Sequence, residues 1–356
     1  MTTEEFSQAP AASPTDLPRL VIDLGGDEQF VEVVAALKRG ESATVDGAWG
    51  SACALALAGI ARERVSAFLV VVPRVGEVES MAADLAAFAH APPVVFPAWE
   101  TLPEEHDTAD PVFASRLRAL RALQSPSNPP VVVTSIAALM QPVPSRAHRA
   151  ASTRRFETGQ VTDPEELLSW LVSRGLEPTT AVALPGEFSR HGGIIDIFAP
   201  DAVDPVRLEF FGDEIDSIRT FDPETQRQLE VSEAIELCLV EPTGAESVAE
   251  GELLSESLPA GTWVGLVELP DLQREGQELR ARVERREGLV SVEDVFGALM
   301  EFPSVVVAEL SAASMETTCH LSIESIERFS GPRTEALEEL QETLGPDERV
   351  LVACHN

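Results

Sequence analysis

Short, continuously apolar runs alternate with longer stretches at helical spacing over roughly the first 150 residues. Phe68–Val72, Val94–Phe96 and Val131–Thr134 read as strands without a polar face, the first two each stopped by a proline. Ser42–Asp46 is strand-like, and Leu20–Asp23 reads as a further short strand. Between them, helical periodicity runs to Leu37, from Ser51 to about Arg64, from Glu77 to Phe88, and from Pro111 to Leu123, with Ile136–Met140 opening a short helix. Strands apolar on both faces, alternating with helices, predict a parallel sheet covered on both sides.

The pattern then changes period. Asp163 followed by Pro164, Glu165 and Glu166 starts a helix well, because the aspartate can cap, proline suits the first turn and the acids favour the helix dipole. Leu167, Leu168 and Leu171 give it an apolar face, and Gly175 ends it. Ile194–Phe198 is rich in β-branched and aromatic residues. Val206–Phe211 alternates, with Val206, Leu208 and Phe210 on one face and Arg207, Glu209 and Phe211 on the other. Gly212-Asp213 reads as a turn and Ile218–Phe221 as the returning strand. With the first face in a core, Phe211 stands in water beside Arg207, an aromatic-arginine pair of the kind found at interface hot spots. The competing arrangement tucks Phe211 under a loop and pairs Arg207 with Glu209.

Glu241–Glu256 reads as a linker. Beyond it come a strand at Thr262–Val267, helices at Asp271–Arg286 and Val292–Leu299, a strand at Ser304–Ala308, a helix within Ile323–Leu344 and a buried-type strand at Arg349–Ala353. These elements divide the chain into a disordered lead-in at 1–18, an α/β domain at 19–152, a small β-rich α+β domain at 155–242 and a further α/β segment at 256–356. The last strand has no covering helix after it, so the chain is expected to be a fragment of something longer.

Sixty acidic against 26 basic residues give a net charge of −34, which disfavours nucleic-acid binding over most of the surface. No apolar run reaches the roughly 18–20 residues of a membrane span. No secretory leader is visible, and a cytoplasmic location is expected. The cysteines at 53, 238, 319 and 354 form no CxxC pair and read as small buried hydrophobes. Cys319-His320 and Cys354-His355 are adjacent pairs, and neighbours on a strand point to opposite faces, so each offers one ligand at most to a common metal.

Ser42–Arg64 has the strand, glycine loop and helix of a phosphate-binding P-loop, but not its chemistry. Counting from Gly47, the second glycine position holds Ala52, the lysine position Cys53 and the hydroxyl position Ala54. Gly50 and Ser51 still place amides at a helix N-terminus. Without the lysine, the main charge-stabilising group for hydrolysis is lost. The strand at Val131–Val133 runs into Thr134-Ser135 rather than an acidic pair that holds magnesium.

The segment Pro185–Arg227, with GEF-x-x-x-GGIIDIF, then P-x-R-x-E-F-F-G-D-E-I and FDPETQR, resembles the second domain of the UvrB-homology module of bacterial transcription-repair coupling factors. Phe96–Pro103 and Ser115–Leu120 are similar to that family's FP-x-WETLP segment and the helix after it. The resemblance implies a degenerate P-loop/RecA-like parallel-sheet domain that has lost its nucleotide site, with the small β-rich domain inserted. It implies contact with UvrA, the damage sensor of nucleotide excision repair, through the residues matching Arg207 and Phe211. A third contact, arginine in the family, falls on His191, with Arg190 one step earlier. Neighbouring strand positions face opposite sides, so this departure implies a weaker or pH-dependent contact. RNA polymerase, DNA, ATP and magnesium would be engaged by a continuation beyond Asn356, leaving no cofactor here. The function so implied is recruitment of UvrA to polymerase stalled at lesions. The alternatives are an active UvrB-like ATP-dependent helicase, which Cys53 opposes, and a module that packs against its parent and keeps it inactive.

Overall fold

The computed structural model describes residues 17–89, 91–99, 110–125, 128–240, 251–283, 288–310 and 317–323. The N-terminal part runs α1 (Leu17–Leu24), α2 (Glu28–Lys38), β1 (Ala43–Asp46), α3 (Ser51–Arg62), β2 (Phe68–Val72), α4 (Val78–Phe88), β3 (Val94–Phe96), α5 (Pro111–Leu123), β4 (Val131–Ser135), α6 (Ile136–Leu139) and α7 (Arg146–Ala151). A second unit follows with β5 (Thr153–Glu157), α8 (Pro164–Ser173), β6 (Glu177–Pro178), β7 (Glu187–His191), β8 (Ile194–Ile197), β9 (Val206–Phe211), β10 (Glu214–Phe221), β11 (Gln228–Ser232) and β12 (Ala234–Cys238). The chain then returns through β13 (Trp263–Val267), α9 (Leu269–Arg282), α10 (Val292–Leu299), β14 (Ser304–Ala308) and β15 (Thr317–His320).

Seven strands form one parallel sheet in the order β15-β1-β14-β13-β2-β4-β3. Strands β1, β2, β13 and β14 are buried along their whole length, as their unbroken apolar runs require when helices cover both faces. One face packs Val33, Leu57, Ile60 and Leu85 from α2, α3 and α4, and the other packs Phe113, Leu120, Leu272 and Val295 from α5, α9 and α10. The sheet is built from two sequence regions, so β2 and β13 become neighbours only after the intervening unit closes. That closure is visible at its neck. Strands β5 and β12 pair antiparallel from Thr153↔Cys238 to Glu157↔Ala234, bringing entry and exit side by side.

The stretch Leu20–Asp23 is helical, contrary to the expected strand. Val21 and Leu24 are one helical turn apart and pack on the core, whereas Leu20 and Ile22 are exposed. This helix also takes in Leu17 and Pro18, placed in the lead-in by composition. The returning strand of the β9–β10 hairpin starts at Glu214, four residues before the expected Ile218, with a bulge between Ile215 and Ser217. The expected helix within Ile323–Leu344 and strand at Arg349–Ala353 lie outside the described residues. Cys53 and Cys319 are buried and Cys238 is half-buried. Among the described helices, none is long and apolar enough to cross a membrane.

Arg116 of α5 is buried despite its charge. It donates to the carbonyls of Pro97, Gln141 and Pro142 and to Gln141 Oε1, and stacks 4.2 Å over the Phe96 ring. Burial pushes its pKa down to about 9, leaving it charged at neutral pH. Arg116→Ala orphans these buried carbonyls and is expected to cost about 3 kcal/mol or more. Urea unfolding measures this, and a loss below about 1 kcal/mol would contradict the assignment.

Candidate functional site

The second unit is a six-stranded sheet, β11-β10-β9-β8-β7-β6, with α8 on one face. Asp163 Oδ1 caps α8 by accepting from Glu165 N at 2.8 Å. Leu167, Trp170 and Leu171 then pack against Phe188, Ile195, Leu208 and Ile218. Residues alternating with these point to the opposite, outer face. On β9 those are Arg207, Glu209 and Phe211. The registers Asp196↔Arg207, Ile194↔Glu209 and His191↔Ile194 add Asp196, Ile194 and His191, while Ser217 and Arg219 join from β10. The β7–β8 turn is Gly192-Gly193. Gly192 sits at φ +62°, and a Cβ on Gly193 would lie 2.9 Å from the Phe210 carbonyl, so the glycine pair lets three strands close up beneath His191.

Phe211 is 83% exposed, the most exposed large hydrophobic residue described. It ends β9 opposite Glu214, so no apolar partner stands across the ladder. The expected alternation thus holds, and the competing loop-covered arrangement does not. The proposed Arg207–Glu209 pair does not form either. Arg207 forks onto Asp196, Nε to Oδ1 at 2.6 Å and Nη2 to Oδ2 at 2.7 Å, and lies 4.5 Å over the Phe221 ring. Glu209 instead accepts from Ser217 and Arg219. The ion pair with Asp196, more than the negative Glu209, holds the Arg207 guanidinium's pKa above its ordinary value against a smaller opposing effect of burial. Asp196 is buried and the guanidinium mostly so, so this bidentate pair is not the freely solvated kind that contributes little.

His191 shares the outer face and bonds through Nε2 to the Thr180 carbonyl at 2.6 Å. Arg190 does not share it. It lies opposite Ile195 on the helix-covered side and pairs with Glu165 of α8 at 2.5 Å. The face therefore brings together His191, Arg207 and Phe211 and leaves out Arg190. About four residues of strand, roughly 13 Å, separate Arg207 from Phe211. Sequence reasoning singled out neither Asp196, Phe221 nor Gln226, all of which hold Arg207. The D-P-E-T run carried a usable signal for the last, since aspartate before Pro-x-Thr favours an Asx-type turn. Asp222 accepts from the Glu224 and Thr225 amides, and the Thr225 amide chiefly lowers its pKa. A lowered pKa means that this turn's stabilisation is present above the ordinary carboxylate range and is lost as pH falls through the lowered value.

The P-loop remnant lies at the C-terminal end of the parallel sheet. Gly47 is at φ +75°, Gly50 at +55° caps α3 with no side-chain bond, and Cys53 is buried with Sγ 3.3 Å from the Ala48 carbonyl. The amides of Gly47 and Ala48, which could face a phosphate, donate instead to the carbonyls of Glu309 and Ala308. A Cβ on Gly47 would lie 2.1 Å from the Leu321 carbonyl, so the loop is pressed against the chain leaving β15. Asp46 Oδ1 accepts from Nδ1 of His320 at 2.6 Å, a strand neighbour of the buried Cys319 that faces the other way. Burial, reinforced by the negative Glu268 and Glu309, pushes the Cys53 thiol up to about 12. Where a magnesium-binding acid would stand, Thr134 donates to the Phe96 carbonyl and Ser135 caps α6. Among the described residues no three His, Cys, Asp or Glu side chains group to hold a metal; Cys354 and His355 lie outside them.

A cleft of about 940 Å³ runs between the two units. Its basic lining is largely engaged within the fold: Arg121 pairs with Asp201 at 3.0 Å, Arg155 with Glu157 at 2.8 Å, and Arg149 donates to Pro144 and Ser257. Two outcomes are expected from the P-loop remnant. Gly47→Ala must move the Leu321 carbonyl and hold alanine at positive φ, costing about 2 kcal/mol or more in thermal unfolding. Cys53 should resist iodoacetamide in the folded chain and react once it is denatured; alkylation of the native protein would contradict its burial.

Comparison with known proteins bears on the second unit. Residues 155–240 match the family model described as UvrB interaction domain. The chain is 34% identical over 220 residues to the transcription-repair-coupling factor of Myxococcus xanthus, covering 60% of this chain. It is 30% identical over 213 residues to the protein of that name in Bacillus subtilis and 30% over 204 residues to that in Escherichia coli, covering 59% and 56% of this chain. The matched stretch is 18% of the length of each of these three relatives. Over the stretch they share, the chain resembles the transcription-repair-coupling factors, and residues 155–240 match the UvrB interaction domain.

Proposed function

We propose that this chain is a protein-docking module that binds UvrA through the outer face of its six-stranded sheet, as part of a longer transcription-repair-coupling factor. The observation that carries this reading is Phe211, largely exposed on the same sheet face as an arginine that the domain holds in one orientation. Leaving a phenylalanine in water forgoes about 1.5–3 kcal/mol that a partner can recover. A pre-oriented arginine costs little further entropy when it binds. In the complete protein, RNA polymerase, DNA and an ATP-driven motor would be engaged by other parts, and this module would bring UvrA to polymerase halted at a lesion.

The helicase alternative is disfavoured. Cys53 replaces the lysine, the loop amides bond within the sheet, and Glu268 and Glu309 lie close enough to raise the Cys53 thiol. Negative charge there opposes a triphosphate. A module that covers its parent through this same face is compatible with docking, and supplying the remaining part of the parent would then compete with UvrA.

Calorimetric titration with UvrA tests the reading. The native chain should bind, and an Arg207→Glu, Phe211→Ala double variant should bind more weakly by over about 2 kcal/mol. Equal binding by both would move the contact off this face. In a parallel titration, Mg-ATP should give no binding heat; a dissociation constant in the micromolar range would overturn the assignment of the P-loop remnant.

A further inference from the structure

Arg207 has five N–H donors in one plane. Three are engaged within the domain. Nε and Nη2 bond Asp196 at 2.6 and 2.7 Å, and Nη2 also bonds Gln226 Oε1 at 3.0 Å. The two donors on Nη1 have no partner among the described residues.

Gln226 reaches Arg207 because of an unusual backbone. Its φ is +58°, a left-handed conformation that costs a residue with a Cβ of order 1 kcal/mol. Four bonds hold it there. Asp222 Oδ1 accepts from Glu224 N at 2.9 Å and Thr225 N at 2.7 Å, Gln226 N donates to the Asp222 carbonyl at 2.8 Å, and Asp222 N donates to the Arg227 carbonyl at 2.9 Å. Gln226 Nε2 donates to the Pro223 carbonyl at 3.0 Å, which turns the amide so that Oε1 faces the guanidinium. From below, the Phe221 ring closes the remaining side. The loop maintains strain, and the result of that strain is one hydrogen bond to one arginine.

We propose that Gln226 is a positioning residue for partner recognition: the Asp222–Arg227 loop fixes Arg207 so that a partner meets Nη1 alone. This rests on reading the outer face as a docking surface. The partner it fits has an acceptor oxygen for Nη1 and, roughly 13 Å away, an apolar socket for Phe211. Asp196 already balances the charge of Arg207, so a neutral carbonyl serves as well as a carboxylate, and recognition depends on direction more than on net charge. A chain of net charge −34 that docks through a neutralised arginine does not require a basic partner.

The test is a double-mutant cycle read by titration with UvrA. Gln226→Gly removes the amide and tolerates positive φ, so the loop keeps its path. With Arg207 present, Gln226→Gly should weaken binding about tenfold; in an Arg207→Ala background it should change binding by less than about twofold. In the unbound chain, the Arg207 Nη resonances should be separate in the native protein and averaged in Gln226→Gly. Native-like binding by Gln226→Gly, or equal weakening in both backgrounds, overturns the inference and leaves the docking surface standing. Failure of the native chain to bind UvrA, or native-like binding by Arg207→Ala, overturns the docking reading and the inference with it.

Discussion

Everything in this molecule depends on a chain that must come back. The parallel sheet needs β13 beside β2, Trp263 against Phe68, yet the two strands are separated by the whole second unit. The antiparallel pairing of β5 with β12 meets that requirement, because it returns the chain to within one strand spacing of where it left. A large insertion adds little closure entropy once its ends are pinned together. The second sheet can therefore vary its outer face without disturbing the core that carries it, and Leu239 N bonding the Ser152 carbonyl marks where the two meet.

On that outer face, charge and apolar surface are separated rather than mixed. Arg207 and Arg219 are each matched to a carboxylate on a neighbouring strand, and Phe211 stands alone at the end of β9. In a chain with more than two acids per base, unpaired arginines would be drawn to whichever carboxylate came near. Cross-strand pairing settles that competition within the fold. At the Gly47 loop the pairing is with backbone instead: the Gly47 and Ala48 amides meet the Glu309 and Ala308 carbonyls, and the Cys53 thiol meets the Ala48 carbonyl.

Much of this was legible in sequence because two periodicities are written plainly. Phe68–Val72, Val94–Phe96, Pro111–Leu123, Val206–Phe211, Val292–Leu299 and Ser304–Ala308 have the bounds their patterns indicate. Alternation alone set Phe211 in water on the same side as Arg207. The Leu20–Asp23 run misled because four apolar-rich residues fit either period, and only packing of Val21 and Leu24 on the core decides for a helix. Thr317–His320 offered almost no apolar signal, since an edge strand needs one buried side chain, Cys319, and has it. Arg207's true partner was not legible because Asp196 is eleven residues away and becomes adjacent only through the β8–β9 register. Gln226 carried only an indirect mark, the Asp222-Pro-Glu-Thr turn before it, because a positive φ outside glycine leaves none of its own.

The inward turn of the Gly47 loop has a mechanical consequence. The Gly47 and Ala48 amides bond to the Glu309 and Ala308 carbonyls at the end of β14, and Leu321 N bonds to the Asp46 carbonyl at the end of β1. Strands β1, β14 and β15 are thereby laced together at one end by backbone bonds beyond their own ladders, and β15, whose one fully buried side chain is Cys319, gains an anchor that its packing does not supply.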